Sequence, residues 1–216
     1  MGLTYLKKLI LGLLLATGTI LIAEEPPNAN DTVKRIVILG DSITAGYGLD
    51  LKEAYPALLQ AKIDEIKRPY LIANAGVSGD TTAGGLRRVA WSMAQGAEIL
   101  IIALGGNDGL RGIPPDETKK NLLGIITKAR IKNPDIKILI AGMQMPDNMG
   151  PDFIARFKAL FPEVAREAKA TLIPFLLEGI GGVEKLNQAD GIHPTAEGQK
   201  KVAGNVWKIL QQTITP

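Results

Sequence analysis

The sequence contains one histidine, His193, set in Asp190-Gly-Ile-His193-Pro194. Imidazole is the usual proton shuttle of enzymes working near neutrality. A carboxylate three residues upstream can accept from its Nδ1–H, fixing tautomer and ring orientation. Base catalysis through imidazole therefore has a single candidate in this chain. Three other loops carry chemically competent groups: Gly40-Asp41-Ser42-Ile43-Thr44-Ala45-Gly46, Asn74-Ala75-Gly76-Val77-Ser78-Gly79-Asp80 and Gly105-Gly106-Asn107-Asp108-Gly109. Each alone is bland. Gly-Asp-Ser is a common turn, Gly-Gly-Asn-Asp is a strand-end turn of residues that tolerate left-handed backbone, and Asp80 reads as a helix N-cap. Together they make a parts list for acyl transfer. Ser42 supplies a hydroxyl nucleophile, His193 a base and Asp190 its orienter. The N–H groups of Ser42 and Gly79 and the side-chain amide of Asn107 can receive a developing oxyanion. A glycine at position 79 lets its N–H approach that oxygen with no Cβ in the way.

Two decoys are set aside. Gly76-Val77-Ser78-Gly79-Asp80 only approaches the Gly-x-Ser-x-Gly nucleophile elbow, because Asp80 stands at the last glycine, so Ser78 is a poor nucleophile. Ser92, the remaining serine, falls in an amphipathic helix pattern. The Gly179–Gly182 stretch has no lysine-and-hydroxyl sequel and is not a phosphate loop.

These loops need a scaffold, and the hydrophobic pattern supplies one. Short, β-branched, continuous apolar runs at Arg35–Leu39, Tyr70–Asn74, Ile99–Leu104, Ile136–Ala141 and Thr171–Pro174 suit strands buried on both faces of a parallel sheet. Helical spacing fills the intervals. Pro56 opens one helix carrying Leu58, Leu59, Ile63 and Ile66. Leu86, Val89, Ala90 and Met93 mark a second, and Leu122, Ile125, Ile126 and Ala129 a third. Phe153, Phe157, Leu160 and Val164 mark a fourth, which Pro162 should kink or split. Val202, Val206, Ile209 and Leu210 mark the last, entered through Pro194. Alternating strands and helices with right-handed crossovers predict an α/β fold. The expected form is a three-layer αβα sandwich around a flavodoxin-like five-stranded parallel sheet of order 2-1-3-4-5. Ligands then bind at the carboxyl ends of the strands, beside the switch point after the first strand, where Ser42 lies.

Within the 216 residues, Lys7-Lys8 followed by the apolar run Leu9–Ala23 reads as a signal peptide over 1–23, with an uncleaved membrane anchor as the alternative. Residues 24–33 read as a solvated linker and 34–216 as one domain. The expected location is exported, periplasmic or extracellular. Without the leader, 23 basic residues face 22 acidic ones, so the net charge is near +1. No basic cluster is interleaved with aromatics, which leaves nucleic-acid binding without support. The absence of cysteine excludes disulfides, a lipidated cysteine, a thiolate nucleophile and thiolate metal sites.

The chain resembles the SGNH (GDSL-type) hydrolases, and within them the bacterial exported group of acyl-CoA thioesterases, arylesterases and lysophospholipases. The resemblance rests on four blocks in order: Ile38-Leu39-Gly40-Asp41-Ser42, Ser78-Gly79-Asp80-Thr81, Leu104 to Gly112, and Asp190-Gly191-Ile192-His193-Pro194. It spans about Arg35 to Leu210. It implies a Ser42–His193–Asp190 triad with Ser42, Gly79 and Asn107 as oxyanion donors, and needs no metal or cofactor. The implied partners are small acyl esters or lysophospholipids, met by a monomer with at most transient contact with membrane lipid. For the acyl pocket, residues 108–113, with Asp108, Gly109 and Leu110 as the candidate contacts, are placed to form a mobile wall over the site. Met143 and Met145 offer flexible apolar surface, or simply fill the core. The alternatives are a carbohydrate or cell-wall acetylesterase of the same family, and a flavodoxin-like binding protein whose first loop holds phosphate. The second leaves Asp190 and His193 unexplained.

Overall fold

The computed structural model describes residues 33–214. The leader expected over 1–23 and nearly all of the linker lie outside the described residues. Five parallel strands, β1 (Lys34–Gly40), β2 (Tyr70–Gly76), β3 (Ile99–Ala103), β4 (Lys137–Ala141) and β5 (Thr171–Ile173), form one sheet in the order β2-β1-β3-β4-β5. This is the expected α/β sandwich and order. The helices are α1 (Ser42–Ala45), α2 (Tyr55–Glu65), α3 (Thr82–Ser92), α4 (Gly106–Leu110), α5 (Pro115–Lys132), α6 (Pro151–Glu167) and α7 (Ala196–Ile214). Helices α2 and α7 pack together on one face of the sheet, and α3, α5 and α6 follow one another across the other.

The central strands behave as their composition requires. Every residue of β3 is buried, as are Ile36–Gly40 of β1 and the last four residues of β4. A continuous apolar run is stable only where both faces are covered. The second strand departs from that expectation. It is the sheet edge and is largely half-exposed. Its free edge is partly occupied by Gln60 of α2, which donates to Tyr70 O (3.1 Å) and accepts from Ile72 N–H (2.7 Å). Such plugging withdraws backbone groups from pairing with another chain.

Three local expectations are corrected. Helix α6 is unbroken at Pro162, because the proline sits on its exposed side while Phe157, Phe161 and Val164 hold both halves in the core. The cap of α3 is Thr81, whose hydroxyl accepts from Gly84 N–H, and not Asp80. Ile66 and Ala90 are exposed, since Ile66 lies just past the end of α2 and Ala90 on the outer side of α3.

Candidate active site

The four polar loops converge at the carboxyl edge of the sheet. Strand β1 ends at Gly40, and Asp41 caps the single turn of α1 by accepting from Ile43 N–H (3.0 Å). Ser42 opens that turn at the junction of β2, β1 and β3. The turn is anchored from three sides. Asn74 donates to Thr44 O (2.9 Å), Thr44 Oγ1 pairs with Tyr55 Oη (2.8 Å), and Gln199 of α7 donates to Ile43 O (3.0 Å). The same Gln199 amide accepts from Tyr55 N–H (2.9 Å), so a buried side chain with both its groups used ties α7 to α1 and α2.

Helix α7 is preceded by the histidine loop. His193 Nε2 lies 2.9 Å from Ser42 Oγ across 151 residues of sequence, and His193 Nδ1 lies 2.7 Å from Asp190 Oδ2. The other carboxylate oxygen, Asp190 Oδ1, accepts from the N–H groups of Ile192 (2.9 Å) and His193 (3.0 Å). The bond from the His193 N–H, the bond to its ring and the bond from the Ile192 N–H hold the Asp190 carboxyl down at about 2. An ionised Asp190 requires a proton on Nδ1, which leaves the Nε2 lone pair aimed at the serine hydroxyl.

The second and third loops are held against this centre by two arginines. Arg88, on α3, donates to Asp80 Oδ2 (2.7 Å), Ala75 O (2.7 Å) and Gly40 O (2.8 Å), clamping the end of β1 to the Gly79 loop. Arg111 donates to Gly79 O (2.9 Å). Gly79 has φ +77, a left-handed conformation that a side chain would strain. Asn107 Nδ2 donates to Asp80 O (3.0 Å) and reaches Asp41 Oδ2 at 3.5 Å. Asp41 itself is 2 % exposed. Burial pushes its carboxyl up to about 6, against the lowering effect of the Ile43 N–H and of His193.

A cavity of about 470 Å³ opens beside the serine, between Ile43, Leu110, Met145 and Ile192, with Met143 and Phe175 also in its wall. Both methionines are buried yet border the cavity, so they fill the core and line the pocket at once. The proposed wall, Asp108 to Ile113, is a helical turn bound into place, with Ile113 N–H donating to Asp108 O (2.9 Å). Of its residues Leu110 borders the cavity. Gly109 is buried against Met145: a Cβ at position 109 would lie 2.1 Å from the Met145 sulfur. Asp108 does not serve as a pocket residue. Its carboxylate is fully buried, accepting from Thr82 N–H (2.9 Å) and the Thr82 hydroxyl, with Thr118 at 3.5 Å. A second, more open groove of about 700 Å³ lies between α2 and β2; neither cavity is lined by Ser42, Asp190 or His193 themselves, but the first is lined by their sequence neighbours Ile43, Gly191 and Ile192.

Residues 38–201 match the GDSL-like lipase/acylhydrolase family. The chain belongs to this family. It is 43% identical over 180 residues to the esterase TesA of Pseudomonas aeruginosa, covering 83% of this chain and 89% of that protein. It is 34% identical over 180 residues to the thioesterase 1/protease 1/lysophospholipase L1 of Escherichia coli strain K12, covering 83% and 84%. A crystal structure of TesA superposes with a TM-score of 0.79 at 42% identity, covering 83% of this chain and 99% of that one. Membership makes the protein a carboxylic ester hydrolase of the GDSL type. Among its members' neighbours in space, sequence reasoning missed Tyr47, Arg88, Arg111, Gln188 and Gln199. Arg111 falls inside the Leu104 to Gly112 block, but the others stand in no pattern that separates them from ordinary loop or helix residues.

Proposed function

We propose that this hydrolase works through Ser42, His193 and Asp190 by way of an acyl-enzyme, and that it takes acyl esters or thioesters with an extended apolar chain. The observation that carries the reading is the unbroken Ser42–His193–Asp190 hydrogen-bond chain, with a largely apolar cavity lined by Ile43 and Ile192, the sequence neighbours of Ser42 and His193. His193 Nε2 takes the Ser42 proton as Oγ bonds to the acyl carbon. The carbonyl electron pair moves onto oxygen, where the N–H groups of Ser42 and Gly79 and the Asn107 amide receive it. As the tetrahedral centre collapses, the bond to the leaving oxygen or sulfur breaks and the imidazolium returns its proton to that atom. Water, deprotonated by the same nitrogen, then attacks the acyl-enzyme and frees the acid. Asp190 stays ionised throughout and holds the ring.

The cavity supports the substrate class. It falls within the usual size of small-molecule sites, and side chains such as Leu110, Met143, Met145 and Phe175 suit an acyl tail rather than a sugar. Lysophospholipids and long-chain acyl thioesters present such a tail. The leader pattern at residues 1–23 supports export. Among the described residues no helix is long and apolar enough to cross a membrane.

The test is hydrolysis of p-nitrophenyl esters from acetate to palmitate by the protein and by Ser42→Ala. Each methylene buried contributes about 0.8 kcal/mol, roughly fourfold in kcat/KM. A rise of several-fold per added carbon is expected until the cavity fills. Ser42→Ala should lose on the order of 10⁶ in kcat, and Asn107→Ala about 10²–10³. Turnover that survives Ser42→Ala would refute the mechanism. A maximum at acetate would refute the acyl-tail reading and favour an acetylesterase.

A further inference from the structure

We infer that Tyr47 is a positioning residue for the imidazole, braced by Gln188, and that its ring face favours the protonated state of His193 formed during turnover. The Tyr47 ring lies over the His193 ring, with centroids 4.5 Å apart and planes inclined by 36°. Tyr47 is still 53 % exposed, so its ring is not there to fill the core. Its backbone is pinned at both ends. Tyr47 N–H donates to Ser42 O (3.0 Å), and Tyr47 O accepts from Gln188 Nε2 (2.8 Å). The same Gln188 nitrogen donates to Pro194 O (3.1 Å), and the Gln188 N–H donates to His193 O (2.7 Å). One residue therefore sets the distance between the Ser42 loop and the His193 loop, and the tyrosine ring occupies the gap.

Asp190 grips the edge of the imidazole and Ser42 meets the opposite nitrogen. Neither prevents the ring from tipping out of the line between them. A neighbour on the face does. An aromatic face also presents negative quadrupole to a cation above it, an attraction that neutral imidazole lacks. The charged groups facing His193 are the carboxylates of Asp190 and, further in, Asp41. Both remain in a Tyr47 variant, so any change in titration belongs to the ring. Phenylalanine keeps the ring face, and Tyr47→Phe should therefore behave as the native protein.

The kinetic arm of this inference rests on the proposed serine mechanism, and the spectroscopic arm does not. His193 is the chain's one histidine, so its Hε1 proton gives a single unambiguous resonance in the folded protein. The experiment follows that resonance from pH 4 to 9 in the native protein, Tyr47→Phe, Tyr47→Leu and Gln188→Ala, with kcat and KM for a p-nitrophenyl ester over the same range. Tyr47→Leu should abolish the ring-current displacement of the resonance. It should also move the titration midpoint and the acid limb of kcat/KM to lower pH by about 0.3–0.7 unit, and lower kcat about two- to fivefold with KM little changed. Tyr47→Phe should change none of these. Gln188→Ala should reduce the ring-current displacement while leaving the tyrosine in place. Unfolding midpoints of all variants show whether they remain folded. A folded Tyr47→Leu whose resonance and midpoint coincide with the native ones overturns the inference, as does Tyr47→Phe behaving like Tyr47→Leu. If no ester is hydrolysed but the spectroscopic changes occur, the serine mechanism fails and the Tyr47 contact stands.

Discussion

Asp41→Asn should change how stability responds to pH more than any other single substitution at this site. Asp41 is buried beside the serine and its carboxyl is raised to about 6, chiefly because burial penalises the charge. The sign follows from linkage. Below the unfolded value near 3.8, both states hold the proton and the group is neutral in its effect. Between that value and about 6 the unfolded chain has released the proton while the native site still holds it, so stability falls as pH rises towards about 6 and levels off above it. A shift of this size amounts to about 3 kcal/mol once both states are ionised. Asparagine carries no charge at any pH and can still accept from Ile43 N–H. Its other group faces Asn107, so the variant carries a fixed penalty, independent of pH. Urea unfolding followed by the fluorescence of Trp91 and Trp207 would give the difference between the two proteins at intervals from pH 3.5 to 8. Asp41→Asn should gain about 3 kcal/mol relative to the native protein over that range, most of it between pH 4 and 6. A difference constant to within about 0.5 kcal/mol would mean that the carboxylate is as well solvated by its neighbours as by water, and the burial argument would be wrong.

Three further outcomes are expected. Arg88→Met leaves Asp80 without its arginine and frees the end of β1 from the Gly79 loop, so it should cost about 3 kcal/mol or more in denaturant unfolding and lower kcat as well; full stability would deny the clamp. Gly79→Ala meets nothing closer than Arg111 Nη2 at 3.6 Å, so its cost is conformational: about 1–2 kcal/mol by calorimetry, from the left-handed φ. Gly109→Val drives a side chain into the Met145 sulfur and should cost about 1–3 kcal/mol while pushing Met145 into the cavity. Its ester profile should shift towards shorter chains, and an unshifted profile would place the acyl tail elsewhere.

Much of this protein is legible locally. Ile36–Leu39, Leu100–Ala103 and Ile138–Ala141 are β-branched or apolar without interruption, and such runs find cover only in the middle of a parallel sheet. The stripe at Leu122, Ile125, Ile126 and Ala129 reads directly as the buried face of α5. Residue types and order also nominated Ser42, His193 and Asp190, because few side chains can act as nucleophile, base and orienter and the chain has only one histidine. Where local reading erred, a neighbour distant in sequence decided the outcome. Pro162 is harmless because it faces water while Phe157, Phe161 and Val164 hold the helix in the core, and β2 is half-exposed because it is an edge strand whose outer side meets Gln60 of α2 and not another strand.

The sequence by itself determined the strand and helix segments, the sheet order they imply and the groups able to do chemistry. These depend on side-chain type and on periods of a few residues. Tertiary structure alone decided which groups meet and which are desolvated. The ring of Tyr47 lies on an imidazole 146 residues away in sequence. Gln199 is spent on the nucleophile turn, and Asp108 is buried against Thr82 and withdrawn from the pocket it seemed placed to line. Asp41 is raised where Asp190 is lowered, though both are aspartates beside glycine. That difference comes from water excluded in one case and N–H groups supplied in the other; the exclusion arises only when separate loops are folded against one another, whereas the N–H groups come from Ile192 and His193 within the same loop.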